Sequence, residues 1–417
     1  MTLRRALGSV LLSAALVSAP TGCGSTLDSL GGASTETPKT LQPVRHSGNY
    51  YNAFADLLKK RSSEISAKLD AAFQQLFHGA ADQYIFYEQQ TAPDRSSIVD
   101  ALHNDVRAEG MGLAMLITVE LDHQKEFDEL WRYAKYKLEV TSGPAKGYFD
   151  SLCGEGEGTD CYDIYGMQHF VLALMLAHGR WHSTADMPYE SDALTLLDAF
   201  LNKEAQNNGV VNGVGNAFSI EDFLVREEPT LADAGFTTRS SLQMPASYWY
   251  WEKATGMPFW RSAAQASRAL LVNAADSNTG LWPMRSYFDG TPVQRSPGFT
   301  QQGYRTQLNL AIDALWGTAS PDQAELANRV LNFFSAQGIA TYGGTFETDG
   351  TPVDTTRALA LVSVNGALAV AAPSNANRKA FVQAVWDQAI PSGDNRYYEG
   401  LLYLMSMLVL SGQMQVY

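Results

Sequence analysis

The stretch Asn104-Asp105-Val106-Arg107-Ala108-Glu109-Gly110-Met111, running on through Gly112-Leu113-Ala114-Met115-Leu116-Ile117, decides how the rest of the chain reads. From Gly110 to Ile117 there is no polar side chain, so a helix built on this run has no solvated face and has to be enclosed by protein. Glu109 stands at the mouth of that helix, with Asp105 and Arg107 beside it. Partial desolvation favours a neutral carboxyl, and a carboxyl held neutral near pH 7 is what a general acid needs. An ion pair between Glu109 and Arg107 that closes a helix end accounts for the same residues without any chemistry. The local pattern leaves both readings open.

Outward from this stretch, helical signals dominate and strand signals are few. Helical periodicity covers 53–76, 96–121, 127–140, 165–178, 191–207, 241–255, 261–275, 304–317, 322–337, 357–371, 378–389 and 397–410. Segments 170–177 and 401–410 are apolar on every side, whereas 322–337 is two-faced. Enclosed helices alternating with two-faced ones predict an inner and an outer layer of an all-α fold. No Pro/Gly/Ser-rich linker divides the chain after residue 47, so 48–417 reads as one domain.

The 104–111 segment resembles the general-acid motif of glycoside hydrolase family 8, and in particular the branch of reducing-end xylose-releasing exo-oligoxylanases. Further motifs follow in the same order along the chain. They are Phe127-Asp128-Glu129-Leu130-Trp131 through Gly147-Tyr148-Phe149, Arg180-Trp181, Phe259-Trp260 with Ser267-Arg268, and Asp289-Gly290-Thr291-Pro292. Tyr304-Arg305 with Asn309 and Asp313 comes next, then Arg396-Tyr397-Tyr398 and Leu410-Ser411-Gly412. The resemblance implies an (α/α)6 barrel of the six-hairpin glycosidase type. It also implies an inverting acid/base mechanism on β-1,4-linked oligosaccharides, xylo-oligosaccharides first, with Glu109 as the general acid. Two carboxyls suffice for that chemistry, so it calls for neither a metal nor an organic cofactor. Asp105, Arg107, Tyr165, Gln302, Tyr304, Arg305 and Tyr398 are the expected subsite residues. Sugar rings stack on aromatic side chains, and two or three of Trp131, Tyr148, Trp249, Trp251, Trp282, Tyr287, Tyr397 and Tyr398 are expected to reach a ligand.

Four positions depart from the resembled pattern. The base Asp is replaced by Gln302, whose carboxamide can orient water but cannot take its proton. Tyr165 falls where an Asp holds the sugar in the cleavage subsite. Arg239-Ser240-Ser241-Leu242-Gln243 stands in place of Asp-Pro-Ser-Tyr-His, and Ser151 in place of a Trp. Two functions from different classes follow. In one, the chain is a hydrolase with a shifted base, Asp160 and Asp163 being the first candidates. In the other, it is a catalytically impaired glycan-binding lipoprotein on a hydrolase scaffold. Asp313 matches a scaffold position, and Asp276-Ser277-Asn278-Thr279-Gly280 reads as an interhelical turn because it lacks a calcium-loop frame.

The first 22 residues read as a signal peptide, with Arg4 and Arg5 ahead of an apolar core and small residues before Cys23. Pro20-Thr21-Gly22-Cys23 is an imperfect lipidation motif, so the expected location is a lipid-anchored cell envelope, or the periplasm or medium if Cys23 is not lipidated. Residues 23–47 read as a flexible Ser/Thr/Gly stalk. Cys153 and Cys161 flank a short Gly- and acid-rich loop, and export favours a disulfide between them. The net charge of −14 and the lack of any Lys/Arg run argue against nucleic-acid binding. An oligosaccharide or polysaccharide is the expected partner, and the membrane enters only through the anchor. No Cys/His group has zinc spacing.

Overall fold

The structure, a computed structural model, describes residues 34–44, 48–151, 162–229 and 236–417. The expectations for the signal peptide, Cys23, Asp160 and the Cys153–Cys161 pair lie outside the described residues.

Thirteen α-helices and three two-stranded sheets occur among the described residues. In chain order they are α1 (Ala53–Leu58), α2 (Ser62–His78), β1 (Phe86–Glu88), β2 (Ser96–Ile98), α3 (Ala108–Glu120), α4 (Gln124–Lys137), α5 (Ile164–Trp181) and α6 (Tyr189–Gln206). Then come β3 (Thr237–Thr238), α7 (Pro245–Thr255), α8 (Pro258–Asn273), β4 (Ser286–Tyr287), α9 (Tyr304–Leu315) and α10 (Pro321–Ala336). The chain continues with β5 (Thr345–Phe346), β6 (Pro352–Asp354), α11 (Leu359–Leu368), α12 (Arg378–Asp387) and α13 (Arg396–Ser411). Helices α3, α5, α7, α9, α11 and α13 each pack on the next, and α13 packs back on α3, which closes a ring. Outside it, α4 lies on α3, α6 on α5, α8 on α7, α10 on α8 and α9, α12 on α11, and α2 on α13. This is the (α/α)6 barrel.

The two layers follow from residue type. Every residue of α3 except Glu109 is buried, as are those of α11 from Ala360 onward. Outer helices are two-faced: α4 turns Phe127, Leu130, Trp131 and Ala134 inward and leaves Lys125 and Lys137 in solvent. Hairpin turns use familiar stops. Gly256 takes the left-handed conformation (φ +70°) that ends α7, and Pro258 opens α8 two residues later.

Three expectations are corrected. The segment 53–76 is two helices, α1 and α2, the first ended by Lys59 at φ +57°. The segment 96–121 is not one helix, because residues 96–98 pair with β1 and helix begins only at Ala108. Between them the Asp100 carboxylate accepts the Leu102 N–H at 3.0 Å, and Asn104 adopts φ +54°, which an α-helix cannot accommodate. The flexible stalk also ends earlier than residue 47, since the compact unit begins at Ser34. Thr35 accepts the Asn202 amide at 2.9 Å, Leu41 N–H donates to Glu190 at 2.6 Å and Gln42 N–H to Ala254 at 2.7 Å, while Val44 is buried. Residues 35–44 therefore lie along α6 and the end of α7, tied to them by these three backbone hydrogen bonds.

Candidate active site

The N-terminal ends of α3, α9, α11 and α13 open into a groove of about 670 Å³ whose wall includes Arg107, Glu109, Gln302, Tyr304, Arg305, Ala360, Tyr397 and Tyr398. Glu109 is in the first turn of α3. Three glycines let the helices close around it. A Cβ on Gly166 would meet Ala108 C at 2.3 Å, one on Gly112 would meet His169 Cβ at 2.7 Å, and one on Gly110 would meet the Tyr397 hydroxyl at 2.4 Å. The first two bring α5 against α3, and the third seats Tyr397 beside the glutamate.

Glu109 pairs with Arg305 and not with Arg107. Arg305 Nη1 stands 2.7 Å from Glu109 Oε1, a close ion pair. The guanidinium also lies over the Tyr165 ring, 4.3 Å from its centre. Burial raises the proton affinity of Glu109, Arg305 opposes that rise, and Asp163 adds to it; the net direction is upward. Arg107 is occupied by Asp105, which accepts from Nε at 3.1 Å and from Nη2 at 2.8 Å. Arg107 faces the groove, whereas Asp105 faces a neighbouring cavity shared with Tyr87 and Tyr133. Asp105 thus orients a wall residue without being one.

The other expected subsite residues converge. Tyr304 hydroxyl donates to Gly344 O at 2.7 Å, and Tyr398 hydroxyl to Gln301 O at 2.5 Å, both in the groove wall. Tyr165 is buried behind Arg305. Two buried hydroxyls here have no hydrogen-bond partner: Tyr165 Oη, behind Arg305, and Tyr397 Oη, in the groove wall. Orphans of this kind are rare in a packed interior, and the one in the groove wall marks a place for a polar ligand. Of the eight aromatic candidates, Tyr397 and Tyr398 reach the groove. Trp131, Tyr148, Trp251 and Trp282 are core, the indole of Trp131 donating to Asp192 at 2.7 Å and Tyr148 hydroxyl to Gly215 O at 2.8 Å.

Gln302, which lines the same groove, sits in a single 3-10 turn just ahead of α9. Its Oε1 accepts a hydrogen bond from Arg239 Nη1. Arg239 in turn donates through Nε to Glu227 at 2.8 Å, and Glu227 also accepts from Arg285 at 2.5 Å. The chain of contacts Glu227–Arg239–Gln302 joins two of the departures from the resembled pattern. That two departures fall together was the only available signal for it.

Asp163, the one replacement base suggested by sequence that lies among the described residues, does not line the groove. Asp163 caps α5, accepting Gly166 N–H at 3.0 Å, and also takes the Glu109 N–H at 2.8 Å. Ser151, where a Trp was expected, accepts the Ala108 N–H at 3.2 Å and completes the same junction. Asp313 is fully buried in a two-pronged pair with Arg268 at 2.7 and 2.8 Å. The carboxylates that do line the groove with Glu109 are Asp100, Asp354, Asp394 and Glu399. Asp100 is held by His103 at 2.7 Å, and Glu399 accepts the Leu359 N–H at 3.0 Å at the start of α11. Asp354 is exposed, and the Thr356 N–H on its carboxylate at 2.8 Å holds its pKa below the usual range. Asp276 accepts the Asn278 and Thr279 N–H groups in an interhelical turn, and no group of potential metal ligands occurs among the described residues.

Comparison with known proteins agrees with this architecture. The model of the glycosyl hydrolases family 8 matches residues 95–412. The reducing-end xylose-releasing exo-oligoxylanase Rex8A of Paenibacillus barcinonensis is 31% identical over 387 residues, spanning 89% of this chain and 97% of its own. A reducing end xylose-releasing exo-oligoxylanase from Halalkalibacterium halodurans is 28% identical over 91% of this chain and 97% of its own. Among solved structures, a xylobiose complex of a protein of this family from Teredinibacter turnerae superposes with a TM-score of 0.81 at 31% identity, over 88% of this chain and 98% of that one.

Proposed function

Because the chain belongs to glycosyl hydrolase family 8, we propose that it is an inverting glycoside hydrolase of β-1,4-linked oligosaccharides, xylo-oligosaccharides first, with Glu109 as general acid. The carrying observation is the state of Glu109. It lies in the groove wall at the head of an inner helix, where burial pushes its carboxyl toward the neutral, proton-donating form. Arg305 pairs with it and limits that push, so leaving-group protonation is favoured in the acid half of the pH range. The base of an inverting site stands about 6.5–9.5 Å from the acid, with room for a water between. We assign that role to Asp354, which shares the groove and which Thr356 holds in the ionised form.

One observation favours a second reading, glycan binding without turnover: the residue at the base position is an amide already engaged by Arg239. Incubation with xylo-, cello- and chito-oligosaccharides, scored for both cleavage and binding, separates the two. Release of xylose or shorter xylo-oligosaccharides with inverted anomeric configuration supports hydrolysis. Binding without cleavage supports the second reading, and neither binding nor cleavage sinks both.

We also place the protein in the cell envelope, anchored through Cys23, on the strength of its first 23 residues. Cys23→Ser should release it from the membrane fraction; a wild type already found in the soluble fraction refutes the anchor.

A further inference from the structure

Gln302 is not a neutral stand-in for a carboxylate, because the network behind it fixes which end of the amide meets the groove. Arg239 has only donors, so the amide end beside it has to be Oε1. The Nε2 end, with two N–H donors, is left for the groove, and among the described residues it has no protein partner in the hydrogen bonds formed. A carboxylate at this position would accept; this amide donates. Arg305 lines the same groove, its Nε reaching the Gln302 backbone carbonyl at 3.4 Å and its Nη1 pairing with Glu109.

The charge behind the amide points the same way. Strands β3 and β4 pair Thr238 with Ser286, which brings the next residue of one strand, Arg239, across from the preceding residue of the other, Arg285. Two cations facing each other across a ladder repel. A single carboxylate, Glu227, 7% exposed, holds both. Two guanidiniums on one carboxylate leave an excess positive charge within this trio of side chains. The groove also contains the orphaned Tyr397 hydroxyl, 3% exposed. Three positions that carry Asp in the resembled pattern hold Tyr165, Arg239 and Gln302 here.

We propose that the Gln302 wall of the groove receives a carboxylate of the glycan, so that the ligand is an acidic oligosaccharide with a uronic acid unit in contact with Gln302 Nε2 and Arg305. Arg239 is the positioning residue: it touches the amide and not the sugar, and Glu227 holds it in place. This rests on the reading that the groove binds β-1,4-linked glycan, and it narrows that ligand class.

The test is calorimetric affinity for a neutral xylo-oligosaccharide and for the same backbone bearing one glucuronic acid branch, at low and at high salt. The readout is the ratio of the two affinities within each variant, with circular dichroism melts verifying the fold. Wild type should favour the acidic ligand by about tenfold, as a charge-assisted hydrogen bond predicts, and the ratio should shrink with salt. Gln302→Glu, which matches the size and reverses the polarity, should bring the ratio to one or below. Arg239→Gln, which frees the amide to turn over, should lower it by several-fold. Arg285→Gln provides a second variant further from the groove that reduces the charge without touching the amide, and it should lower the ratio less. A β-1,4-linked oligoglucuronate separates a uronic acid within the main chain from one carried as a branch, and a preference for either supports the inference. A wild-type ratio near one, or a high ratio that Gln302→Glu leaves unchanged, overturns it while the glycan-binding reading stands. Failure of both neutral and acidic ligands to bind overturns both.

Discussion

Helix α3 carries a desolvated glutamate at each end: Glu109, half-buried in its first turn, and Glu120, buried at its last residue. Burial raises the proton affinity of both carboxyls, that of Glu120 to about 8. Their surroundings differ. Glu120 is enclosed by packing, accepts the Tyr417 hydroxyl at 2.9 Å, and has Arg180 only as a more distant charge, the guanidinium donating to the Tyr417 hydroxyl instead. Glu109 opens on a groove, faces a guanidinium at 2.7 Å, and has unsatisfied hydroxyls beside it. A desolvated carboxyl is therefore not by itself a mark of catalysis. What distinguishes Glu109 is desolvation together with an accessible volume in front of it.

The comparison breaks most sharply under one substitution made at both ends. Glu109→Gln keeps the shape and removes the titrating proton, so turnover of unactivated xylo-oligosaccharides should fall by about 10²-fold or more. It also strips the buried Arg305 of its counter-charge, which should cost about 1 kcal/mol or more of stability. Glu120→Gln should leave turnover at the wild-type level. Steady-state rates and thermal melts of the two variants are the measurement. Full turnover in Glu109→Gln would remove this residue from the mechanism.

The next largest effect concerns the base. Asp354→Asn should lower kcat by about 10²-fold with KM little changed, since the ionised carboxylate is assigned to the water and not to the sugar. An unaltered kcat would return the search to Asp100 and Asp394. Those also line the groove.

A smaller effect is expected from Gln302→Asp, because Arg239 would pair with the new carboxylate, hold its pKa low and turn it from the groove. Adding Arg239→Ser frees position 302, and the double variant should exceed the two singles combined by about tenfold in released reducing ends, as groups acting as a unit do. If Gln302→Asp alone matches the double variant, Arg239 does not control this position.

How much of this was legible in the sequence depends on the range over which each feature is encoded. The inner ring was readable because helices such as 401–410 are apolar on every side, a property of one contiguous segment. The split of 96–121 was not, because the apolar run hides the turn chemistry of Asp100 and the left-handed Asn104 that precede Ala108. Glu109 was legible as a desolvated carboxyl, but its partner was misjudged. Arg107 is two residues away in sequence and turns to Asp105, whereas Arg305 arrives from the start of α9. The Arg239–Gln302 contact spans 63 positions and is carried by β3 and the turn before α9, so neither residue alone announces it.

The smallest effect tests the quiet end of the helix. The Glu120 carboxyl has a folded-state pKa of about 8 against an ordinary value of 4.5. Below pH 4.5 it is protonated in both the folded and unfolded chain, and folding carries no penalty from it. As pH rises toward 8 the unfolded chain gives up this proton while the folded chain keeps it, so stability falls with pH; above 8 the loss levels off. Glu120→Gln cannot titrate, and its amide retains a partner in the Tyr417 hydroxyl. Its Tm should match wild type near pH 4.5 and exceed it by about 2–4 °C at pH 8, with the gap opening between those values. At pH 8 the same substitution at Glu109 should move Tm the other way, because there the amide replaces the partner of a buried guanidinium. Parallel melts across this range measure both signs at once. A gap for Glu120→Gln that is constant with pH would show that its carboxyl titrates normally and that packing alone distinguishes the two ends of α3.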